Sequence, residues 1–416
     1  MNKAFVQKIH ESPIKIVLIT AGGGSEAISE LLRYGNGSAT VLDLRVPYTE
    51  RAFNQVVKNK PDKHVSAPAA KNIAVAAYEH ACSLADTTEN IWGIGCTSAL
   101  VKDDERPYPD GSLRKHRIYI AAHSENRTFC SRVDLRNGQS REEEERINAG
   151  FILWTIAVAA VMDPKSKLEK DVEFKNAPVP REQLTHSWIE DNSFYDFETE
   201  LATAPDPVMK LCNKFPKPKF GLGPEAVRVK DGNLEGCELM RPSREDSIIF
   251  SGSFNPRHSG HIQMARAASD FKKRKVEYEI SLTNVDKPCI DYISLAVRCN
   301  QFKEDENIWL TQASTFVEKS RLFPGRQFLV GLDTFVRIGN REYYKNPRRA
   351  NQAFLELEGK GTTFLVAHRK CNKCAIGPSF PERLLNLAEF LPKDCYDDPD
   401  DESSTKTRKN NSLETF

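Results

Sequence analysis

At 416 residues the chain exceeds one ordinary domain, and two are expected. Its 59 Lys and Arg nearly balance 58 Asp and Glu, and the formal net charge of +1 argues against a general nucleic-acid or membrane-surface protein. No stretch approaches the roughly 20 apolar residues of a membrane span, the opening Met1-Asn2-Lys3-Ala4-Phe5 lacks an apolar signal core, and ten scattered cysteines read as reduced thiols, so an intracellular protein, cytoplasmic or nuclear, is expected.

Strand and helix signals alternate through the first 165 residues, as in a layered α/β domain. Strands are predicted from Lys15 to Thr20, Ala39 to Leu44, Ile91 to Gly95, Arg117 to Ala122 and Thr128 to Leu135. Helices are predicted from Ser25 to Tyr34, where Ala27, Ile28, Leu31 and Leu32 share a face, and from Ala67 to Ala85. A last one runs from Arg141 to Met162, acidic at its start and apolar later, in accord with the helix dipole. The turn Thr20-Ala21-Gly22-Gly23-Gly24-Ser25 follows a strand and opens a helix, which suits either an anion or a simple turn.

Residues 166–245 change character. Prolines recur among charged residues (Pro178, Pro180, Pro205, Pro207, Pro216, Pro218, Pro224), and a linker with some local structure is expected. A second α/β unit is expected over 246–416, opening with the strand Ile248-Ile249-Phe250.

That strand leads into Ser251-Gly252-Ser253-Phe254-Asn255-Pro256-Arg257-His258-Ser259-Gly260-His261, and an apparent helix follows. Gly252 permits backbone conformations closed to other residues, and Pro256 fixes one dihedral. The amides at the helix start attract an anion. His258 and His261, three apart, can turn both rings to one side and donate hydrogen bonds to a phosphoryl group. Strand, turn, paired histidines and helix together read as a phosphate site for chemistry on a nucleoside triphosphate.

This segment resembles the HxGH signature of the nucleotidylyltransferase superfamily, in the form typical of nicotinamide or nicotinate mononucleotide adenylyltransferases. Ser281 to Pro288, Phe328 to Phe335 with its Gly-x-Asp, and Ser403-Ser404-Thr405-Lys406-Thr407-Arg408 resemble later family motifs, so the likeness covers most of 246–410. It implies a Rossmann-like domain with a parallel sheet, and transfer of AMP from ATP to the mononucleotide with release of pyrophosphate. The expected partners are therefore ATP, carrying Mg²⁺, and a mononucleotide phosphate acceptor, with homo-oligomerisation left open. His258 and His261 would contact the triphosphate near the reacting phosphorus, and Gly252, Ser253 and Phe254 would line its turn. Lys287 would hold a phosphate, Gly331 and Asp333 would meet a ribose hydroxyl, and Ser404, Thr405 and Arg408 would clamp the outer phosphates. Mg²⁺ would bridge phosphate oxygens, so no dedicated carboxylate cluster is expected. Cys371 and Cys374 have CxxC spacing without a second pair, and two free thiols rather than a metal site are expected.

Over residues 13–162 the chain resembles the carboxy-terminal domain of the CinA-like (competence/damage-inducible) family, whose active members deamidate nicotinamide mononucleotide. The glycine turn with Gly23, Val46-Pro47-Tyr48-Thr49-Glu50-Arg51-Ala52-Phe53, Val65-Ser66, Gly93-Ile94-Gly95-Cys96-Thr97-Ser98 and the charged run Arg141 to Arg146 carry the likeness. The family's nucleophilic serine falls on Thr20, its tyrosine on Tyr48 and its lysine on Phe53, so a vestigial pocket is expected. The alternatives are cytidylyl transfer, adenylyl transfer to another phospho-alcohol, a nucleotide-binding scaffold without turnover, and residual amidase activity of the amino-terminal half.

Overall fold

The central strands of the first sheet are buried almost throughout, and the alternating direction of their side chains divides the core between two faces. The computed structural model describes residues 3–58, 60–87, 89–102, 111, 113–162, 196–212, 225–242, 246–283, 288–303, 305–340, 344, 346–368, 376–377, 379–392 and 395. Two compact units result, Met1–Ala204 with Asp286–Ser294, and Pro205–Val285 with Leu295–Phe416.

In the first unit, α1 (Lys3–Glu11), β1 (Lys15–Ala21), α2 (Ser25–Arg33), β2 (Val41–Arg45), α3 (Glu50–Val57) and α4 (Ala67–Leu84) precede β3 (Ile91–Ala99), β4 (Arg117–Ser124) and β5 (Arg127–Asp134). Then come α5 (Arg141–Met162) and β6 (Asp196–Thr203). The sheet order is β2-β1-β3-β4-β5-β6, parallel from β2 through β3 and antiparallel beyond. Ile16 and Leu18 of β1 pack with α1, α2 and α5, whereas Val17 and Ile19 pack with α3 and α4, the period-two pattern of a strand covered on both faces. Helix α4 lies unusually close to β3. A Cβ on Gly93 would fall 2.1 Å from Ala74 O, and one on Gly95 2.4 Å from Ala74 N, so the glycines and the alanine-rich helix are one packing solution. Helix α5 has the length and apolarity to cross a membrane, but its most apolar window is 78% buried inside the unit, as in a core helix.

Several elements lie where the sequence sets none, α3 among them. Helix α1 buries Phe5, Val6 and Ile9. Strand β6, inside the span read as linker, is the edge partner of β5. The segment Asp286–Ser294 belongs to the first unit: Asp291 pairs with the buried Lys71 at 3.9 Å, and the Tyr292 amide donates to Thr128 Oγ1 at 3.1 Å.

The second unit contains α6 (Asp206–Cys212), β7 (Ala226–Lys230), β8 (Asn233–Met240), β9 (Ile248–Ser251), α7 (Ser259–Lys272) and β10 (Val276–Ser281). Next comes α8 (Tyr292–Cys299), whose residues from Leu295 on belong to this unit, and then β11 (Ile308–Thr311), α9 (Phe316–Leu322), β12 (Gln327–Gly331), α10 (Leu332–Gly339), α11 (Pro347–Gly359), β13 (Thr363–Ala367), α12 (Glu382–Leu385) and β14 (Ala388–Phe390). The sheet order is β14-β13-β12-β9-β10-β11-β7-β8. Strands β9 to β14 run parallel, while the β7–β8 hairpin, also from the linker span, adds antiparallel to β11. The chain steps outward from β9 through β10 to β11, returns to β12 beside β9, and steps outward the other way. The order therefore reverses between β9 and β12, where open sheets of this kind form a crevice at the carboxyl ends of their strands.

Candidate nucleotide site

The turn after β9 opens at this reversal. Register pairs Phe250 with Leu329, so Gly252 and Gly331 lie two residues further along adjacent strands. Gly331 is the N-cap of α10, and the half-buried Asp333 lies in that helix's first turn. The sheet thus brings the Ser251–His261 turn and the Gly331–Asp333 segment to the same edge. Lys287, Ser404, Thr405, Arg408, Cys371 and Cys374 lie outside the described residues.

Gly252 is needed for a reason other than its backbone freedom. A Cβ there would fall 2.8 Å from the Phe254 ring. Phe254, at φ 43° and fully buried, makes edge contacts with Phe250, Tyr278, Phe302 and His261 at centroid distances of 5.1–5.5 Å. Its side chain is therefore the anchor of the turn. The Gly252 amide donates to Glu279 O at 3.0 Å and belongs to the sheet, while Ser253 is exposed. The Asn255–Pro256 peptide is cis.

His258 is the N-cap of α7 and is buried, at 6% exposure. Its backbone N–H donates to His261 Nδ1 at 3.2 Å, so that nitrogen is the unprotonated one and Nε2 of a neutral His261 carries a hydrogen to donate. The two imidazoles lie 3.8 Å apart between centroids. The helix supplies amides without intrahelical partners at the same end.

Two charged networks missed by sequence reading hold the turn in place. Arg257 forms a bidentate pair with Glu306 at 2.5 and 2.7 Å, donates to Tyr278 Oη at 2.9 Å, and lies over the Tyr278 and Phe302 rings. Burial alone would raise the Glu306 pKa, but Arg257 and the Lys303 amide outweigh it and hold that carboxyl below the ordinary range. Burial pushes the Tyr278 hydroxyl up to about 12, so it remains a donor. In the second network, Glu279 is fully buried and accepts from Ser251 Oγ at 2.5 Å, Thr311 Oγ1 at 2.6 Å and Lys319 Nζ at 2.5 Å. Arg257 and Lys319 are thus neutralised internally, and positive potential at the turn must come from the imidazoles, helix amides and other groups. The alternation in Val276-Glu277-Tyr278-Glu279-Ile280 was the available signal: two acids two apart on an apolar strand share a buried face.

The glycine turn of the first unit already holds an anion of its own. Both Gly22 and Gly24 have positive φ, and the Gly24 and Ser25 amides donate to Glu145 at 2.9 and 2.6 Å, with Ser25 Oγ at 2.7 Å. A Cβ on Gly23 would fall 2.5 Å from Leu100 Cδ1 and 2.8 Å from Glu145 Oε2, so these side chains would have to shift. Thr20 is fully buried and its hydroxyl donates to Gly23 O at 2.5 Å. Burial pushes the neighbouring Cys96 thiol up to about 12, which removes it as a nucleophile near neutral pH. Tyr48 is 72% exposed and Phe53 buried. The charged run at the start of α5 has members turned inward: Arg141 donates to Gly22 O, and Glu144, fully buried, pairs with His116 at 2.6 Å and accepts from the Val101 amide.

No family model and no curated protein matches the chain. It is similar in part to solved CinA-superfamily structures. A competence-damaged protein (CinA) superfamily protein from Escherichia coli aligns at 16% identity over 37% of this chain and 85% of its own, with TM-score 0.29. A superfamily protein from Klebsiella pneumoniae aligns at 12% identity over 38% and 96%, with TM-score 0.29. The competence/damage inducible protein CihA from Agrobacterium tumefaciens aligns at 14% identity over 37% and 90%, with TM-score 0.27.

Proposed function

We propose that the second unit transfers AMP from ATP to nicotinamide mononucleotide or its acid. The observation that carries this reading is the meeting of the His258–His261 helix start with the Gly331–Asp333 segment at the reversal of strand order. An oxygen of the acceptor's phosphate attacks the α-phosphorus, and the bond to the α–β bridging oxygen breaks. Pyrophosphate leaves with that electron pair. The protein aligns two anions and neutralises developing charge, without forming a covalent intermediate.

In this reading His261 Nε2 and His258 donate to phosphate oxygens around the reacting centre. The α7 amides add their dipoles, and Asp333 accepts from a ribose hydroxyl. Mg²⁺ accompanying ATP would supply positive charge against the phosphates, with no protein ligand assigned to it. The family resemblance would assign further phosphate contacts to Lys287, Ser404, Thr405 and Arg408, which lie outside the described residues. The Asn255-Pro256 form of the turn favours a mononucleotide acceptor.

For the first unit we propose a non-catalytic role, supported by the buried, internally bonded Thr20 hydroxyl and the Glu145 carboxylate on the turn amides. The deciding experiment offers the purified full chain Mg²⁺ with ATP or CTP and a panel of phosphate acceptors. Pyrophosphate release with ATP and a nicotinamide or nicotinate mononucleotide is expected, without ammonia release. Turnover with CTP alone would refute the adenylyl reading. Inactivity with every pair would leave a nucleotide-binding scaffold as the better account, and sustained ammonia release would restore an amidase.

A further inference from the structure

We propose that Gln301, two residues beyond α8 and outside the motif, is a positioning residue that sets the two histidines through the turn's backbone. The inference rests on the adenylyl-transfer reading of that turn.

The turn has a hydrogen-bonding problem at its apex. Pro256 has no N–H, and Phe254 O and the Arg257 N–H diverge from the sheet ladder. The Gln301 side chain supplies both missing partners. Its Nε2 donates to Phe254 O at 3.1 Å, and its Oε1 accepts from the Arg257 amide at 2.7 Å. A third bond, from Nε2 to Arg298 O at 3.3 Å, fixes which end of the amide is which. A carboxamide donates to one and accepts from the other with a single planar group. The main chain of Gln301 takes part too, since its carbonyl accepts from Arg257 Nη1 at 3.2 Å.

What this grips is the residue next to His258. A shift of the Arg257 main chain moves the N-cap of α7, and with it the His258 N–H that holds His261 Nδ1. One side chain therefore governs the placement of both imidazoles without touching the nucleotide. In-line phosphoryl transfer is sensitive to such placement, with about a hundredfold loss for a misplacement of about 1 Å.

The test compares Gln301→Leu, which loses all three side-chain bonds, with the isosteric Gln301→Glu, which keeps the acceptor for Arg257 and sets a carboxylate against Phe254 O. Hydrogen–deuterium exchange across 253–258 reads the turn independently of turnover. Faster exchange is expected in both variants, greater in Q301L. Pyrophosphate release from MgATP and nicotinamide mononucleotide should show kcat lowered by about 10–100-fold, with KM for ATP within about threefold and the thermal midpoint nearly unchanged. If Q301L does not fold, Q301E carries the same comparison. An active wild type with unaltered kcat or unaltered exchange in both variants would overturn the inference and leave the adenylyl reading intact. A wild type inactive with every acceptor would defeat that reading instead. Exchange would then decide the positioning role alone: acceleration supports it and none overturns it.

Discussion

Lys319→Met removes the cation from a fully buried carboxylate and leaves its volume nearly filled. Glu279 has no exposed surface and Lys319 is 5% exposed, at 2.5 Å from it. The attraction of such a pair roughly offsets the cost of taking both charges out of water, so the pair itself adds little. Breaking it strands a charge, at a cost of about 3–5 kcal/mol. Against a domain stability of about 5–15 kcal/mol this is a large fraction. Ser251 and Thr311 would still donate to Glu279, but two hydroxyls do not replace an ammonium. Adding Glu279→Gln neutralises the stranded charge, and a carboxamide can still accept from Thr311 and donate to Ser251. The double variant should therefore recover most of the loss and lie within about 1–2 kcal/mol of wild type. Urea unfolding followed by hydrogen exchange of β9, β10 and β11 peptides reads this unit by itself. A single variant destabilised by less than about 1 kcal/mol, or a double variant showing the sum of both single losses, would refute the argument.

His261→Ala removes the acceptor for the His258 amide and the Nε2 donor, and kcat for pyrophosphate release should fall by about 10²–10³-fold; wild-type turnover in this variant would count against the proposed chemistry. Glu306 has its folded pKa depressed, so its stabilisation is fully present above the unfolded value of about 4.3 and is lost as pH falls through the lower folded value. Glu306→Gln should flatten the fall in stability of the second unit below about pH 4.3, and an unchanged slope in acid unfolding would contradict the Arg257 pairing. Glu145→Ala strips the start of α2 of a carboxylate bonded to two amides and a hydroxyl, and a loss of about 1–2 kcal/mol is expected in denaturant unfolding of the first unit. A neutral effect there would mean that the turn does not depend on its internal anion.

What was legible in the sequence was whatever repeats at short range. Strand β1 declared itself by a continuous apolar run, α4 by its alanines, and the β9 turn by glycine, proline and two histidines in a fixed order. Helix α5 is predicted over its full length, but neither the dipole nor the family resemblance of its charged start tells which of those side chains turn inward. Glu144, Asn148, Phe151 and Thr155 share a helical face, and all are buried, so the period of the helix already contained the inward turn of Glu144. Some local structure is expected over 166–245, and the structure places β6, β7 and β8 there; their polar and charged residues resemble loop when their partners are unknown. Such strands acquire their identity from the sheet they join.

The residues that give the candidate site its rigidity were invisible for a stronger reason. Glu279 is 28 residues from Ser251 and 40 from Lys319, and Gln301 is 44 from Arg257. No local pattern records such separations; the parallel crossovers create them. The same crossovers bring Gly331 beside Gly252, so the motif supplies chemically able side chains and the topology supplies their alignment. A histidine pair on a strand-to-helix turn is therefore insufficient by itself. Under the proposed adenylyl transfer, the alignment of the two histidines would rest on Gln301 at the turn's apex, bonded to Phe254 O and the Arg257 amide, and on Glu279 at its base, bonded to Ser251, two supports that can be removed separately while both histidines remain.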